Sequence, residues 1–154
     1  MPPIVIGHAE AALAEAWARH RAELWPDEPA DALRKEVDDF FAGRARHLGA
    51  VLFARDPGDE GALLGFVELN LRPYAEGCDS SPVGFLEAWY VSASARRRGV
   101  GAALLHAAEE WARGCGCREL ASDTLADNQA STTAHLALGF EEVEVIRCFR
   151  KSLD

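Results

Sequence analysis

Three consecutive arginines, Arg96, Arg97 and Arg98, stand immediately before Gly99-Val100-Gly101-Ala102 in a chain of formal net charge −9. The turn lies between a strand ending near Val91 and a helix beginning near Gly99, and it reads as an anion cradle. Its two glycines let the backbone approach a ligand closely, and the first N–H groups of a helix are unpaired at the positive end of its dipole. A diphosphate suits such a site. Only G-x-G is present, without the third glycine of the dinucleotide fingerprint or the Lys-Ser/Thr ending of a P-loop, so those ligands are disfavoured. A solvated basic helix start accounts for the same residues. Two carboxylates invite a chemical reading as well. Glu87 sits inside the apolar run Phe85-Leu86-Glu87-Ala88-Trp89, where an unpaired carboxylate is costly to bury. Asp123 closes a short strand beside the expected cleft, or else caps the turn from Thr124 to Asp127.

The charge balance, 16 Lys+Arg against 25 Asp+Glu, repels nucleic acid and anionic membrane and attracts cations. A polycationic partner fits it, although solubility alone explains the same excess. Cys78, Cys115, Cys117 and Cys148 lack the paired C-x2-C spacing of a zinc site or redox couple, so free thiols and no metal are expected. None of the four has an identifiable activating neighbour for a ping-pong route. Met1 to Gly7 does not resemble a signal peptide, and no segment approaches the roughly 18 apolar residues that span a bilayer. A cytoplasmic protein is expected.

Periodicity supplies the elements that must position these groups. A short strand is predicted over Pro3 to Gly7, a helix over Glu10 to Leu24 that stops at Trp25-Pro26, and a second helix over Ala32 to Ala45. Ala50 to Arg55 and Leu63 to Leu71 read as a hairpin around Asp56-Pro57-Gly58-Asp59. The polar loop Tyr74 to Pro82 leads into the strand Val83 to Val91. A long helix over Gly99 to Arg113, a strand over Arg118 to Asp123, a helix over Asn128 to Leu138 and a final strand over Glu141 to Lys151 complete the order. No repeat or linker interrupts it, so residues 1–154 are expected to form a single mixed α/β domain.

Arg96-x-x-Gly99-x-Gly101 after a strand resembles the Q/R-x-x-G-x-G/A pyrophosphate loop of the GCN5-related N-acetyltransferases, the GNAT family. Asn128, then His135, then Gly139-Phe140 are similar to the N-x6-Y-x3-G-F stretch of that family, with His135 where a tyrosine is usual. The resemblance implies a central, mostly antiparallel mixed sheet flanked by helices, with a splay between strands 4 and 5 that admits acetyl-CoA. It places the coenzyme on the backbone of Trp89, Tyr90 and Val91, on Arg96 to Ala102, and near Asn128 and His135. For the side chains of Trp89 and Tyr90, core packing is the simpler role.

Longer runs are similar to the aminoglycoside 6′-N-acetyltransferases of that family: Leu24-Trp25-Pro26, Gly77 to Pro82, Phe85-Leu86-Glu87, Gly116 to Glu119, Ala121 to Thr124 and Ala137 to Glu142. This resemblance implies that Trp25 and Tyr74 wall a sugar site while Glu87, Asp123 and Glu144 bind ammonium and hydroxyl groups. It also implies direct transfer in a ternary complex, with Glu87 or Asp123 taking the ammonium proton and His135 or Tyr74 protonating the leaving thiolate. A homodimer is expected, because relatives are often dimeric and Glu141 to Lys151 is apolar at alternate positions. Trp25 as a helix stop, Glu144 as a surface charge and His135 as a packed helix histidine remain open. So do two other functions: acetylation of another amine (polyamine, peptide N-terminus or lysine), and non-catalytic acyl-CoA binding.

Overall fold

The structure, a computed structural model, describes residues 3–59 and 61–154. Its sheet has five strands in sequential order: β1 (Val5–His8), β2 (Ala50–Asp56), β3 (Ala62–Arg72), β4 (Val83–Val91) and β5 (Leu120–Ser122). Neighbours pair antiparallel from β1 to β4, and β4 pairs parallel with β5. That change of direction follows from the connections. A tight turn opened by Asp56, whose side chain accepts the Gly58 N–H at 2.9 Å, joins β2 to β3, whereas β4 reaches β5 only through a crossover helix.

Four helices flank the sheet: α1 (Ala14–Leu24), α2 (Ala30–Phe41), α3 (Val100–Gly114) and α4 (Gln129–Ala137). On one face, Trp17 of α1 and Val37 of α2 pack with Phe53, Phe66, Ala88 and Tyr90. Trp17 is completely buried and meets Phe40, Phe41, Phe53 and Phe66 edge-on, the geometry that aromatic quadrupoles favour. On the other face, Leu104, Leu105 and Ala108 of α3 cover Leu52, Val67, Leu69 and Leu86. The 3.6-residue spacing of the apolar positions in α3 gathers them into one stripe that makes that contact.

A buried ion pair ties the first layer to the sheet. Glu68 of β3 accepts from Arg21 Nε at 2.8 Å and from Trp17 Nε1 at 3.1 Å, and Arg21 also donates to the Leu33 carbonyl and to Glu36. Burial pushes the Glu68 carboxyl upward from its usual range, and the Arg21 charge pulls against that shift.

Most expected elements stand within a few residues of their predicted bounds; the final strand does not. Glu141 to Lys151 pairs with no strand among the described residues, and the chain from 141 to 154 runs as an exposed extended arm. Alternating apolar residues suit a strand, but a strand exists only where another edge completes its hydrogen bonds. Within this chain the arm does not return to β5.

Candidate active site

The ladder between β4 and β5 is short: Gly84, Phe85 and Leu86 pair with Leu120, Ala121 and Ser122, and there it ends. β4 continues to Val91 with β3 on one side only, so Glu87 to Val91 presents an unpaired backbone edge toward the opening. On the β3 side the register jumps from Glu68↔Ala88 to Leu69↔Leu86, which leaves Glu87 as the extra residue of a bulge. A bulge bends its strand and re-aims a side chain. Here it falls where β4 leaves β5, and Glu87 and Asp123 each follow the last paired residues, Leu86 and Ser122.

Glu87 is half-buried and already partnered. Arg72, at the end of β3, grips its carboxylate at 2.7, 3.1 and 3.2 Å while its guanidinium lies 3.4 Å from the centroid of the Phe85 ring. Asp123 is exposed.

The cationic turn has the shape the sequence suggests. A 3-10 turn over Ala93–Ala95 leads to Arg97 and Gly99, both left-handed with φ of 63° and 78°, and α3 begins without any side-chain cap. Its first N–H groups therefore point outward unused. Open space surrounds Gly99 where a Cβ would stand, and at Gly101 a Cβ would touch the Trp89 ring at 3.5 Å. Arg96 Nε donates to the Val91 carbonyl at 3.2 Å, and Arg98 is held by Asp56 at 3.3 Å, so Arg96 and Arg97 carry the turn's most exposed charge. An uncapped helix start beside arginines, continuous with the open edge of β4, fits an extended ligand with a diphosphate at one end, as coenzyme A is.

Trp89 points to the same side, donating through Nε1 to the Gly101 carbonyl at 3.2 Å and meeting the His135 ring edge-on at 5.2 Å. Tyr90 faces the opposite layer, where its hydroxyl bonds Glu23 and its pKa is pushed up to about 12 by burial and by that carboxylate. The Tyr90 side chain is thus core, as its packing role implied. Asn128 caps α4, its side-chain oxygen accepting the Ser131 N–H at 3.1 Å. His135, on α4, lies between Trp89, Phe140 and Ser122.

The expected sugar-facing residues divide. Trp25 ends α1 and is half-buried, with the Arg21 guanidinium, itself paired with Glu68, 4.9 Å from its ring centroid. Tyr74 is 64% exposed on the loop before β4. That loop is tied down by Glu119, which accepts the N–H groups of Asp79 and Ser80 at 2.9 and 2.8 Å and also the Ser80 hydroxyl. These hydrogen bonds hold the Glu119 carboxyl below its usual range. Glu144 does not join the group: it lies on the exposed arm, beyond Val143, whose side chain fills the space a Cβ at Gly77 would need.

Sequence reasoning missed Arg72, Ser122 and the Arg21–Glu68 pair. Their partners stand 13 to 47 positions away, so only the folded register unites them.

The arrangement is matched by known proteins. The model of the acetyltransferase (GNAT) family covers residues 11–140. An aminoglycoside N(6′)-acetyltransferase type 1 from Klebsiella aerogenes is 55% identical over 138 residues, 90% of each chain. A namesake from Stenotrophomonas maltophilia is 45% identical over 150 residues, covering 97% of this chain and 94% of its own. The solved structure of AAC(6′)-Iy with the bisubstrate analogue CoA-S-monomethyl-acetylneamine superposes with a TM-score of 0.85 at 39% identity, covering 97% of this chain and 99% of that one. With its strand fork, its uncapped cationic helix start and these relatives, the chain belongs to the GNAT family of acetyltransferases.

Proposed function

We propose that the chain is a single-domain aminoglycoside 6′-N-acetyltransferase that moves an acetyl group from acetyl-CoA to the 6′-amine of an aminoglycoside. The observation that carries this reading is the fork itself: Glu87 on its bulge and Asp123 flank the point where β4 and β5 part, next to the cationic start of α3. An amine acceptor with several ammonium groups needs such carboxylates, and Trp25 and Tyr74 offer aromatic faces to sugar rings. The relatives named above support the same substrate.

Arg96, Arg97, Arg98 and the N–H groups from Gly99 to Ala102 would hold the coenzyme's diphosphate, and the free edge from Trp89 to Val91 would pair with its pantetheine arm. Acetyl-CoA supplies the activated acetyl group. Glu87 and Asp123 anchor the substrate's ammonium groups and take the proton that frees the attacking amine, directly or through water. Holding both reactants in one ternary complex supplies much of the rate. Expression in a susceptible bacterium is expected to raise resistance to kanamycin or tobramycin, and the purified protein to release CoA thiol with 6′-amino compounds. Turnover of a polyamine or peptide but of no 6′-amino compound would overturn the substrate assignment.

The reading includes a cytoplasmic homodimer built on the arm. Val143, Val145, Ile146, Phe149 and Leu153 are all more than half exposed, while the outer edge of β5 has no partner strand among the described residues. A cavity of about 140 Å³ lined by Leu105, Glu109, Leu120, Leu138 and Phe140 lies beside that edge. A second copy's arm would complete the sheet and cover its own exposed apolar side chains, bringing a Glu144 toward the fork. Sedimentation at micromolar concentration is expected to give a dimer, and Ile146→Asp combined with Phe149→Asp a monomer. A monomeric unmodified protein would refute the dimer.

A further inference from the structure

Ser122 lies within the run Ala121 to Thr124 and has no part in the reaction as described so far, yet it occupies the fork. It is the last residue of β5 in the ladder with β4, opposite Leu86. Its hydroxyl lies 2.8 Å from His135 Nε2.

The other ring nitrogen decides the direction of that bond. His135 Nδ1 is 2.7 Å from the Ser131 carbonyl oxygen, one helical turn back, and a carbonyl can only accept. Nδ1 therefore carries the proton in the neutral ring, with the Ser131 hydroxyl at 3.3 Å as a secondary neighbour. Nε2 is then a bare lone pair, and it is Ser122 that donates to it. The ring cannot easily turn away from this arrangement: Trp89 abuts it edge-on at 5.2 Å and Phe140 at 5.0 Å. A serine hydroxyl whose hydrogen is committed to an oriented imidazole keeps its own oxygen lone pairs free to accept, and Ser122 is only partly buried at the end of the ladder. That is the configuration of a proton acceptor.

We propose that Ser122 and His135 act as a two-residue proton relay for acetyl transfer, with Ser122 the group that touches the reacting nitrogen. The inference rests on the acetyltransferase reading but not on which amine is the acceptor. The substrate ammonium first gives one proton to water or a carboxylate. The amine nitrogen then bonds to the thioester carbonyl carbon and becomes positively charged. Its proton passes to Ser122 Oγ as the Ser122 proton passes to His135 Nε2, leaving an imidazolium still hydrogen-bonded to the Ser131 carbonyl. The carbon–sulfur bond breaks with its electron pair on sulfur. The imidazolium returns one proton through Ser122 to the thiolate, so amine and thioester become amide and thiol with both relay residues restored. His135 thus serves the leaving group, the role usual for a tyrosine at this position, but only after it has first accepted the proton.

The test is a double-mutant cycle on the full-length protein, using whichever amine the unmodified protein acetylates fastest. Ser122→Ala and His135→Gln are each expected to lower kcat on the order of a hundredfold, as lost acid–base catalysis does, with KM for both substrates within about threefold. Because the two act as one unit, the double variant should be no slower than the slower single. Ser122→Thr, which keeps the hydroxyl, should recover at least about tenfold of the loss. Acetyl-CoA affinity by calorimetry should be unchanged in Ser122→Ala and Ser122→Thr, which separates the relay from the coenzyme site. A Ser122→Ala protein with near-normal kcat, or single losses that multiply in the double variant, would overturn the relay. If His135→Gln fails to fold, the contrast between Ser122→Ala and Ser122→Thr decides alone: equal rates refute the proposal. An unmodified protein that acetylates a polyamine but no aminoglycoside would overturn the substrate reading while leaving this test intact.

Discussion

Gly101→Asp is expected to lower acetyl-CoA affinity by a hundredfold or more while leaving the fold intact. A carboxylate introduced at the second residue of α3 would stand among the N–H groups that are otherwise open to an anion. At about 5 Å from a phosphate and an effective dielectric constant near 20, the repulsion between two unit charges is about 3 kcal/mol. The protein itself should tolerate the change. A Cβ at this position makes ordinary contact with Trp89 at 3.5 Å, and an acidic residue in the first turn complements the helix dipole. Thermal stability should therefore hold while calorimetric binding of acetyl-CoA is lost. Gly101→Ala, which adds the methyl group without the charge, should cost far less. Unaltered affinity in the aspartate variant would place the diphosphate elsewhere.

The backbone of the cationic turn is legible in the sequence because it is local. Strand, glycines, arginines and helix follow one another within a dozen residues, and what the structure adds from a distant element is that Asp56 of β2 neutralises Arg98. The strand Val83–Val91 was equally legible from its apolar run, with bounds as predicted. What that run could not reveal is the bulge at Glu87, because a bulge is a property of register with β3. The same limit applies to buried charge. Glu87 is half-buried and paired with Arg72, as a carboxylate in so apolar a run must be, but Glu68 on β3 is buried more deeply, at 2% exposure, and is paired with Arg21 47 positions earlier. Both glutamates stand in apolar strands, and nothing in either run shows where its counter-ion will arrive. Glu141 to Lys151 is not a strand for a related reason: alternation marks which face is apolar, and only a partner edge turns it into a strand.

Glu87→Gln and Asp123→Asn are each expected to lower kcat/KM for a polycationic amine tenfold to a hundredfold, with acetyl-CoA binding nearly unchanged. Each keeps the side chain's shape and removes one charge, and a charge-assisted hydrogen bond is worth roughly 1.5–3 kcal/mol. The Arg72–Glu87 pair makes the Glu87 case sharper. Glu87 already has a cation, so a substrate ammonium must share or displace Arg72. That competition is mild, because a pair with side chains 38% and 22% exposed is screened by solvent and contributes on the order of 1 kcal/mol or less. Removing the competitor should then act in the opposite direction to removing the anchor. Arg72→Ala is expected to lower KM for the aminoglycoside, or at least not raise it, whereas Glu87→Gln raises it. If instead both variants lose thermal stability together and the folded fraction of each keeps full activity, Glu87 serves only to hold Arg72 against Phe85. The ammonium site would then rest on Asp123 and whatever joins it at the fork.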